Sequence, residues 1–404
     1  MLQGTFRMGN PAGRKITVEM APFSRDKQPA ANLPIMNNSI PASPLSGIAS
    51  LLQPFVDRNT LSGAVALVAS KDAILSLDTV GFADLRAHKA MTPDALFWIA
   101  SQTKPMTATA FMMLVDEGRI SVDDPVEKYL PEFKGQMLAV EQDEEHANLR
   151  KPAHPITVRE ILNHTAGLPF SSPLELPTKD MLPLHIAVKS YAMSSLKTEP
   201  GTIYEYSNAG TNTVGRLIEV LSGVPYDEFM RNRLFRPLGM KDTTFVPNEE
   251  QVRRLARTYK PNSTETGLEE ITIPQLHYPL TDPTRQPFPA GGLFSTAGDV
   301  ARFCQMILNG GELGGKRYVS KDSVAQMTRK QTVPTVEKSY GLGWGTENGV
   351  FGHNGANSTN STIDPVRGLI TVFLVQHSWW HGDGGQAQEN FKQAVRDWHD
   401  AGRP

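Results

Sequence analysis

A serine and a lysine stand three residues apart within segment 97–105 of this 404-residue chain. Residues spaced i, i+3 on a helix share a face, so the Lys104 amine can reach the Ser101 hydroxyl. A serine hydroxyl is a weak nucleophile at neutral pH and must lose its proton as it attacks. A lysine accepts that proton only where burial or a neighbouring cation lowers its pKa. The spacing therefore predicts a nucleophile beside a base.

The residues around this pair indicate that it is buried. Ile99 and Ala100 precede it, and the run 106–115 that follows is apolar nearly all round, as expected of a helix inside a core. Proline is tolerated only in the first turn of a helix. We therefore expect the regular helix to begin near Pro105, with Ser101 in the tight turn before it.

The same Ser-x-x-Lys spacing occurs twice more in the chain. Ser24 and Lys27 lie in a polar leader with no helical pattern behind them, and Ser194 with Lys197 precedes a turn. Short patterns of this kind often mislead. The assignment of Ser101 as a nucleophile therefore depends on groups elsewhere in the chain.

A tyrosine and an asparagine further along the chain are the first such groups. Tyr206 and Asn208 alternate about Ser207, so an extended backbone projects both side chains to the same side. A tyrosine beside a serine and a lysine can carry a proton, and an asparagine offers both a donor and an acceptor to a substrate amide or ester. The structural alternative is a capped helix with a packed tyrosine.

His164 follows a short helix that Thr157 opens, with Glu160 at the spacing of a capping box. A histidine here invites a catalytic interpretation. Because no acidic partner is evident nearby in the sequence, we predict instead that His164 hydrogen-bonds the backbone at the helix end.

Composition and charge exclude several classes of function. The formal net charge is −2 with acids and bases interspersed, and no run of Lys and Arg marks a nucleic-acid or membrane surface. No stretch reaches the ~18 apolar residues of a membrane span. No His-Glu-x-x-His or paired-cysteine spacing suggests a metal, and no Gly-x-Ser-x-Gly elbow occurs. We therefore expect a small-molecule substrate that is neutral to acidic, or none, and no cofactor, and the oligomeric state stays undetermined.

Two features bear on the compartment. The single cysteine, Cys304, lies in a helical pattern and is expected to fill core space, so it makes no intrachain disulfide. Residues 1–45 lack the plan of a secretory signal and are expected to form a loose leader. The chain is therefore expected to be cytoplasmic, or exported with its signal already removed.

The remaining patterns predict the elements that must position these residues. Segments 136–155 and 246–288 read as surface loops, and segment 310–317 reads as a loop that only superficially resembles a phosphate-binding one. Tyr340 and Trp344 could line an acyl pocket, although aromatic residues beside glycine in a strand are as often packing residues. Helices are expected at 46–57, 213–221 and 385–398, and strands at 63–70, 73–77, 340–345, 350–356 and 368–375.

Three motifs stand in order along the chain: Ser101-x-x-Lys104, Tyr206-x-Asn208 and His353-x-Gly355. Together they resemble the serine β-lactamase and penicillin-binding-protein superfamily, specifically the class C β-lactamase-like branch that includes family VIII carboxylesterases and D-peptidases. The resemblance covers roughly residues 46–395.

The resemblance implies an α/β (α+β) fold, in which an antiparallel sheet is flanked by helices and carries an inserted, mostly helical domain. After the leader, residues 46–105 and 289–404 would form the sheet domain and residues 106–288 the helical one. The active site would lie at their junction.

The resemblance also implies a role for each matching residue. Ser101 would be the acylated nucleophile and Lys104 its buried neighbour, while Tyr206 would share or relay the proton and Asn208 would contact the substrate. The backbone N–H groups of Ser101 and Ala356 would form the oxyanion hole.

One departure from the family pattern bears on the substrate. The β-lactamases and DD-peptidases of this branch carry Lys-Thr-Gly or Lys-Ser-Gly at the third motif, whereas this chain has His353-Asn354-Gly355. The family lysine is a fixed cation that helps to hold a substrate carboxylate, but a histidine is mostly neutral at pH 7. We therefore expect a carboxylesterase for small or short-chain esters. The alternatives are a β-lactamase or D-amino-acid peptidase, or a non-catalytic member of the fold.

Overall fold

The computed structural model of the chain describes residues 45, 47–142 and 146–402. The predicted leader, apart from Leu45, and the start of the predicted first helix at Ser46 lie outside the described residues. Within them, no helix is both long enough and apolar enough to cross a membrane.

The strands, in chain order, are β1 (Gly63–Ser70), β2 (Ile74–Asp84), β3 (Lys89–Ala90), β4 (Phe97–Trp98), β5 (Leu138–Gln142), β6 (Ala147–Arg150), β7 (Thr258–Pro261), β8 (Leu268–Ile271), β9 (Phe294–Ser295), β10 (Glu312–Leu313), β11 (Lys316–Arg317), β12 (Gly345–Glu347), β13 (Val350–Asn354), β14 (Asn360–Asp364) and β15 (Leu369–Leu374).

The α-helices are α1 (Ile48–Asp57), α2 (Thr103–Asp116), α3 (Val158–Leu162), α4 (Leu184–Ala192), α5 (Asn208–Ser222), α6 (Tyr226–Phe229), α7 (Arg236–Leu238), α8 (Glu249–Arg254), α9 (Ala297–Leu308), α10 (Lys321–Thr328) and α11 (Gln386–Asp400). A π-helical segment, Met230–Phe235, joins α6 to α7.

A seven-stranded antiparallel sheet forms the centre of the fold, in the order β12-β13-β14-β15-β1-β2-β3. Strands from both ends of the described chain meet where β15 pairs with β1. Both of these strands are apolar on successive residues, which is expected where both faces of a strand are covered. The prediction that the last strand is central is therefore confirmed.

The two faces of β1 enter two different cores, because successive side chains of a strand point to opposite faces. Val65, Leu67 and Ala69 belong to one core, together with Phe303 of α9. Ala64, Ala66 and Val68 belong to the other, which α1 and α11 complete through residues such as Phe55 and Phe391. Helices therefore flank the sheet on both sides.

The first core continues without interruption from the sheet to the helices of the middle of the chain, from Val65 to Leu217 of α5. The described residues belong to one compact unit. The division into a sheet domain and a helical domain at residues 106–288 therefore stays a prediction.

Three of the predicted loops contain regular structure. Segment 136–155 contains the hairpin β5–β6, segment 246–288 contains α8 and the hairpin β7–β8, and segment 310–317 contains the short hairpin β10–β11. The strands of these hairpins are only two to five residues long, too short to show the apolar alternation by which a strand is recognised.

Several predicted boundaries also shift, and the strand expected at 73–77 extends to Asp84. The helix expected at 213–221 begins at Asn208, because the Ser207 hydroxyl caps it by accepting a bond from the Gly210 N–H. The strand expected at 340–345 is shorter and later, at Gly345–Glu347, because Gly343 adopts a left-handed φ of 77° that ends an extended run.

Candidate active site

Ser101 lies in a single 3-10 turn, Ala100–Gln102, immediately before α2, as the sequence predicts. Ala100 has a positive φ of 46°, a left-handed conformation that is uncommon for residues other than glycine. The turn is held from outside, since the Ile99 carbonyl accepts a bond from the Thr359 hydroxyl at 3.2 Å. Contacts with the rest of the fold therefore hold the backbone before Ser101 in a conformation that Ala100 would not prefer by itself.

Helix α2 begins at Thr103 and not near Pro105, which places Lys104 in its first turn. Pro105 still falls within that first turn, where its missing N–H has no partner to lose. Because Lys104 therefore lies within the helix, its backbone is fixed and its side chain lies on the same side as Ser101.

Lys104 is fully buried, with 0% of its surface exposed. Three oxygen acceptors surround its Nζ atom: Ser101 Oγ at 3.2 Å, Asn208 Oδ1 at 2.8 Å and the carbonyl oxygen of Ala290 at 2.7 Å. Among the described residues, no carboxylate forms an ion pair with it. Burial without a counter-ion lowers the pKa of Lys104 well below its usual value, which is the condition for a lysine to act as a base.

Tyr206 completes the surroundings of this pair. The centre of its ring lies 4.6 Å from Lys104 Nζ, and its phenol is near enough to the Ser101 hydroxyl for that group to influence the phenol's pKa. Burial raises the pKa of the Tyr206 phenol above 10, and the Ser101 hydroxyl offsets only part of that rise. Burial thus disfavours both the ammonium and the phenolate, so the directions of the two shifts favour an uncharged amine beside a protonated phenol.

Asn208 reaches the site from the first position of α5. The backbone of Ser207 is extended (φ −134°, ψ 127°), so Tyr206 and Asn208 flank it on one side as predicted. The structure thereby brings both side chains to Lys104: Tyr206 contacts it through its ring and Asn208 through its amide oxygen.

His353 projects from β13, and both of its ring nitrogens are engaged. The Tyr340 hydroxyl lies 2.9 Å from Nε2, and Nδ1 lies 2.7 Å from the carbonyl oxygen of Asn354. Because a carbonyl can only accept, Nδ1 carries the proton and Nε2 accepts from the tyrosine. Loss of solvation in the site lowers the pKa of His353 to about 3, so the ring is neutral at pH 7.

Gly355 lets the end of β13 approach the nucleophile turn. A Cβ atom at this position would stand 2.1 Å from the Thr359 hydroxyl oxygen and 2.5 Å from the carbonyl oxygen of Ile99. No side chain fits there. The next residue, Ala356, is exposed in the turn that follows β13.

A cleft of about 900 Å³ opens over these residues, and its lining includes Ser101, Tyr204, Tyr206, Tyr340 and His353. Sequence reasoning missed Tyr204, although its alternation with Tyr206 places it on the same side of an extended segment. It also missed the Ala290 carbonyl, for which side-chain patterns give no signal.

Trp344 does not line this cleft, contrary to the prediction. Its side chain is 1% exposed, stacks on Phe303 at 5.7 Å between ring centres, and meets the edge of Phe351. The indole is a core residue because the turn at Gly343 directs it inward. Tyr340, the other aromatic residue of this segment, does reach the cleft.

His164 hydrogen-bonds the backbone, as predicted. Its Nδ1 atom accepts from the Ser207 N–H at 3.2 Å, and its ring is 2% exposed. The capping box of Thr157 and Glu160 that opens the preceding helix is also present. Among the described residues, no cluster of three or more His, Cys, Asp or Glu side chains is arranged to hold a metal ion.

Comparison with known proteins agrees with this arrangement. The antiparallel sheet with helices on both sides, and the serine and lysine at its edge, define a β-lactamase/transpeptidase-like fold. The family model described as Beta-lactamase matches residues 48–394. The chain therefore belongs to the β-lactamase family and, with it, to the serine hydrolase superfamily.

Individual relatives cover most of the chain. An uncharacterized protein of Mycobacterium tuberculosis is 29% identical over 370 residues, which are 82% of this chain and 90% of the relative. A protein of Salmonella agona, provisionally named D-alanyl-D-alanine carboxypeptidase, is 29% identical over 325 residues, which are 72% of this chain and 71% of the relative.

Solved structures share the fold at lower identity. EstCE1, described as a hydrolase with promiscuous acyltransferase activity, has a TM-score of 0.72 and 23% identity, covering 87% of this chain and 97% of its own. Simvastatin synthase from Aspergillus terreus has a TM-score of 0.73 and 20% identity, covering 88% and 98%.

Proposed function

We propose that this chain is a carboxylesterase that hydrolyses small or short-chain esters through an acyl-enzyme on Ser101. The observation that carries the proposal is the state of His353. Its Nε2 atom accepts from Tyr340 and its Nδ1–H is directed to the Asn354 carbonyl. The third motif therefore presents no cation to a substrate carboxylate, and an uncharged ester meets no unpaired charge there.

The chemistry follows from the surroundings of Ser101. Lys104, uncharged because of its burial, takes the hydroxyl proton as Ser101 Oγ bonds to the ester carbonyl carbon. The backbone N–H groups of Ser101 and Ala356 are the proposed donors to the resulting oxyanion, and an interaction of this type contributes about 2.7–4 kcal/mol to transition-state stabilisation.

Collapse of the tetrahedral intermediate breaks the bond to the alcohol. The proton that Lys104 took returns to the leaving oxygen, and the Tyr206 phenol is the proposed relay between them; the centre of the Tyr206 ring lies 4.6 Å from the Lys104 amine. Water then attacks the acyl-enzyme carbonyl by the same route, which releases the acid and restores Ser101. In this scheme Asn208 acts mainly by holding Lys104, since its amide oxygen is already bonded to the amine.

The second candidate is hydrolysis of D-alanyl peptides or β-lactams, which the name of the Salmonella agona relative favours. Substrates of both kinds carry a carboxylate near the reacting carbonyl. Binding such a group beside a neutral, half-buried histidine would leave the charge partly desolvated and unpaired, which is costly. For this reason we place esters first.

The test compares substrates on one protein. Turnover of p-nitrophenyl acetate and butyrate is expected to exceed that of nitrocefin and of a D-alanyl-D-alanine peptide, and intact mass is expected to show one acyl group that Ser101→Ala abolishes. Ser194→Ala is the matched control, since that serine has the same Ser-x-x-Lys spacing. Ester turnover that survives Ser101→Ala would refute the proposal, and faster turnover of the peptide or of nitrocefin would select the second candidate.

A further inference from the structure

His164 lies at the centre of the aromatic group that surrounds the proposed proton carrier. Its ring centre is 4.6 Å from that of Tyr206, 4.7 Å from that of Tyr340 and 5.8 Å from that of Tyr204. The His164 side chain is buried and does not line the cleft. The Tyr206 ring therefore contacts both the His164 ring and the Lys104 amine, which lies 4.6 Å from the centre of the Tyr206 ring.

The backbone on both sides of Tyr206 is also bonded to His164. The Glu205 N–H donates to the His164 carbonyl oxygen at 2.8 Å, and the Ser207 N–H donates to His164 Nδ1 at 3.2 Å. His164 thus contacts the ring of Tyr206 and accepts hydrogen bonds from the backbone N–H groups of the residues before and after it. Only the second of these bonds depends on the identity of the side chain at position 164.

The hydrogen bond from the Ser207 N–H to His164 Nδ1 requires a neutral imidazole, and the surroundings of His164 keep it neutral. Nδ1 can accept only while the ring is neutral, with its proton on Nε2. Burial lowers the pKa of His164 well below 6.5, so the ring is neutral. The acceptor is therefore present throughout the neutral range.

Two further features are difficult to explain by packing alone. His164 adopts a left-handed φ of 63°, where asparagine or glycine is the favoured residue. Its Nε2 atom is buried and has no hydrogen-bond partner among the described residues. A purely structural position would favour a residue without either cost.

We propose that His164 is a positioning residue for Tyr206: through Nδ1 and its ring it holds the phenol against Ser101 and excludes water from Lys104. This inference rests on the proposed function and adds to it a group that touches neither the substrate nor the reacting atoms. Loss of the His164 side chain is expected to slow acylation of Ser101. It is also expected to raise the pKa of Lys104, because water admitted beside the amine stabilises the ammonium form.

Two amide variants separate the acceptor from the bulk of the ring. In His164→Asn the amide oxygen replaces Nδ1 and the residue tolerates a positive φ. In His164→Gln the amide extends one carbon further, toward the position of Nε2, and the Ser207 N–H loses its acceptor. His164→Phe keeps the ring without any acceptor and replaces the glutamine variant should that variant fail to fold.

The readouts are the rate of Ser101 acylation, kcat and KM for p-nitrophenyl butyrate, and the pH profile of kcat/KM. We expect His164→Asn to retain kcat within about tenfold of wild type, and His164→Gln and His164→Phe to lose about a hundredfold with KM little changed, as for a misplaced catalytic group. In the last two variants the acid limb of the profile is expected to move about one pH unit upward.

Other outcomes identify which proposal fails. If a fluorophosphonate does not label wild-type Ser101, the proposed function is wrong. If wild type is labelled but His164→Gln or His164→Phe acylates at the wild-type rate, the positioning role is wrong and the proposed function stands. The same conclusion follows if all variants lose activity only in proportion to unfolded protein and their pH profiles are unshifted.

Discussion

The amide oxygen of Asn208 lies 2.8 Å from the amine nitrogen of Lys104, although 104 positions separate the two residues. This contact joins the first turn of α2 to the first residue of α5. It gives a fully buried amine a neutral acceptor in place of a carboxylate, so the amine is held in place without a partner that would keep it protonated. The contact is therefore expected to control the proton affinity of Lys104 as well as its position.

Asn208→Asp tests this control. A carboxylate next to the amine stabilises the ammonium, so the pKa of Lys104 rises and less free base is present at pH 7. We expect kcat/KM for p-nitrophenyl butyrate at pH 7 to fall at least about tenfold, with an acid limb that moves upward by about one pH unit or more. Asn232→Asp, on an exposed helical surface, is the control that should leave both unchanged. An unshifted profile would show that Asn208 does not set the proton affinity of Lys104.

Lys104 should also make protein stability depend on pH. Its pKa is lower in the folded protein than in the unfolded chain, where it is near 10.5. Between these two values the unfolded chain binds one more proton, so the free energy of unfolding should rise with pH by up to about 1.4 kcal/mol per unit. Urea unfolding between pH 6 and 9.5 measures this slope. Lys104→Met should lack it, and equal slopes in the two proteins would contradict the burial argument.

The neutral state of His353 predicts how a cation at this position would change selectivity. His353→Lys restores a positive charge to the third motif, so turnover of a D-alanyl-D-alanine peptide relative to p-nitrophenyl acetate should increase about tenfold, the effect of roughly 1.4 kcal/mol of charge pairing. His353→Asn stays neutral and should leave the ratio near that of wild type. A ratio that changes equally in both variants would show that charge at this position does not select the substrate.

The close approach at Gly355 predicts a loss of stability on substitution. Gly355→Ala would place a methyl group against the Thr359 hydroxyl and the Ile99 carbonyl, both less than 3 Å away, and overpacking of this kind costs about 1–3 kcal/mol. Displacement of the Ile99 carbonyl should also slow fluorophosphonate labelling of Ser101. Gly298→Ala, in α9 with open space at the same atom, should be neutral or slightly stabilising. Thermal unfolding of both variants measures whether position 355 must stay without a side chain for full stability.

The parts of the site that depend on short spacing could be predicted from the sequence. Ser101 and Lys104 are three residues apart at the start of one helix, and Tyr206 and Asn208 flank one extended residue, so local geometry alone places each pair. The central position of β15 follows in the same way from its continuous apolar residues.

The parts that depend on tertiary contacts could not be predicted. Tyr340 reaches His353 only because a turn intervenes, and the Ala290 carbonyl reaches Lys104 through its backbone, which has no residue-type signal. Trp344 was placed in the pocket for its aromatic side chain, but the turn before it directs the indole into the core. The hairpin β5–β6 was missed because its strands are only five and four residues long, too short for a clear alternation.

The thiol of Cys304 sits inside α9 with 1% of its surface exposed, and burial raises its pKa to about 12. Oxidants and alkylating reagents attack the thiolate, which such a group almost never forms at neutral pH. Since the chain has a single cysteine, no crosslink within it can form or break. The fold and the arrangement around Ser101 should consequently be indifferent to the redox potential of their surroundings.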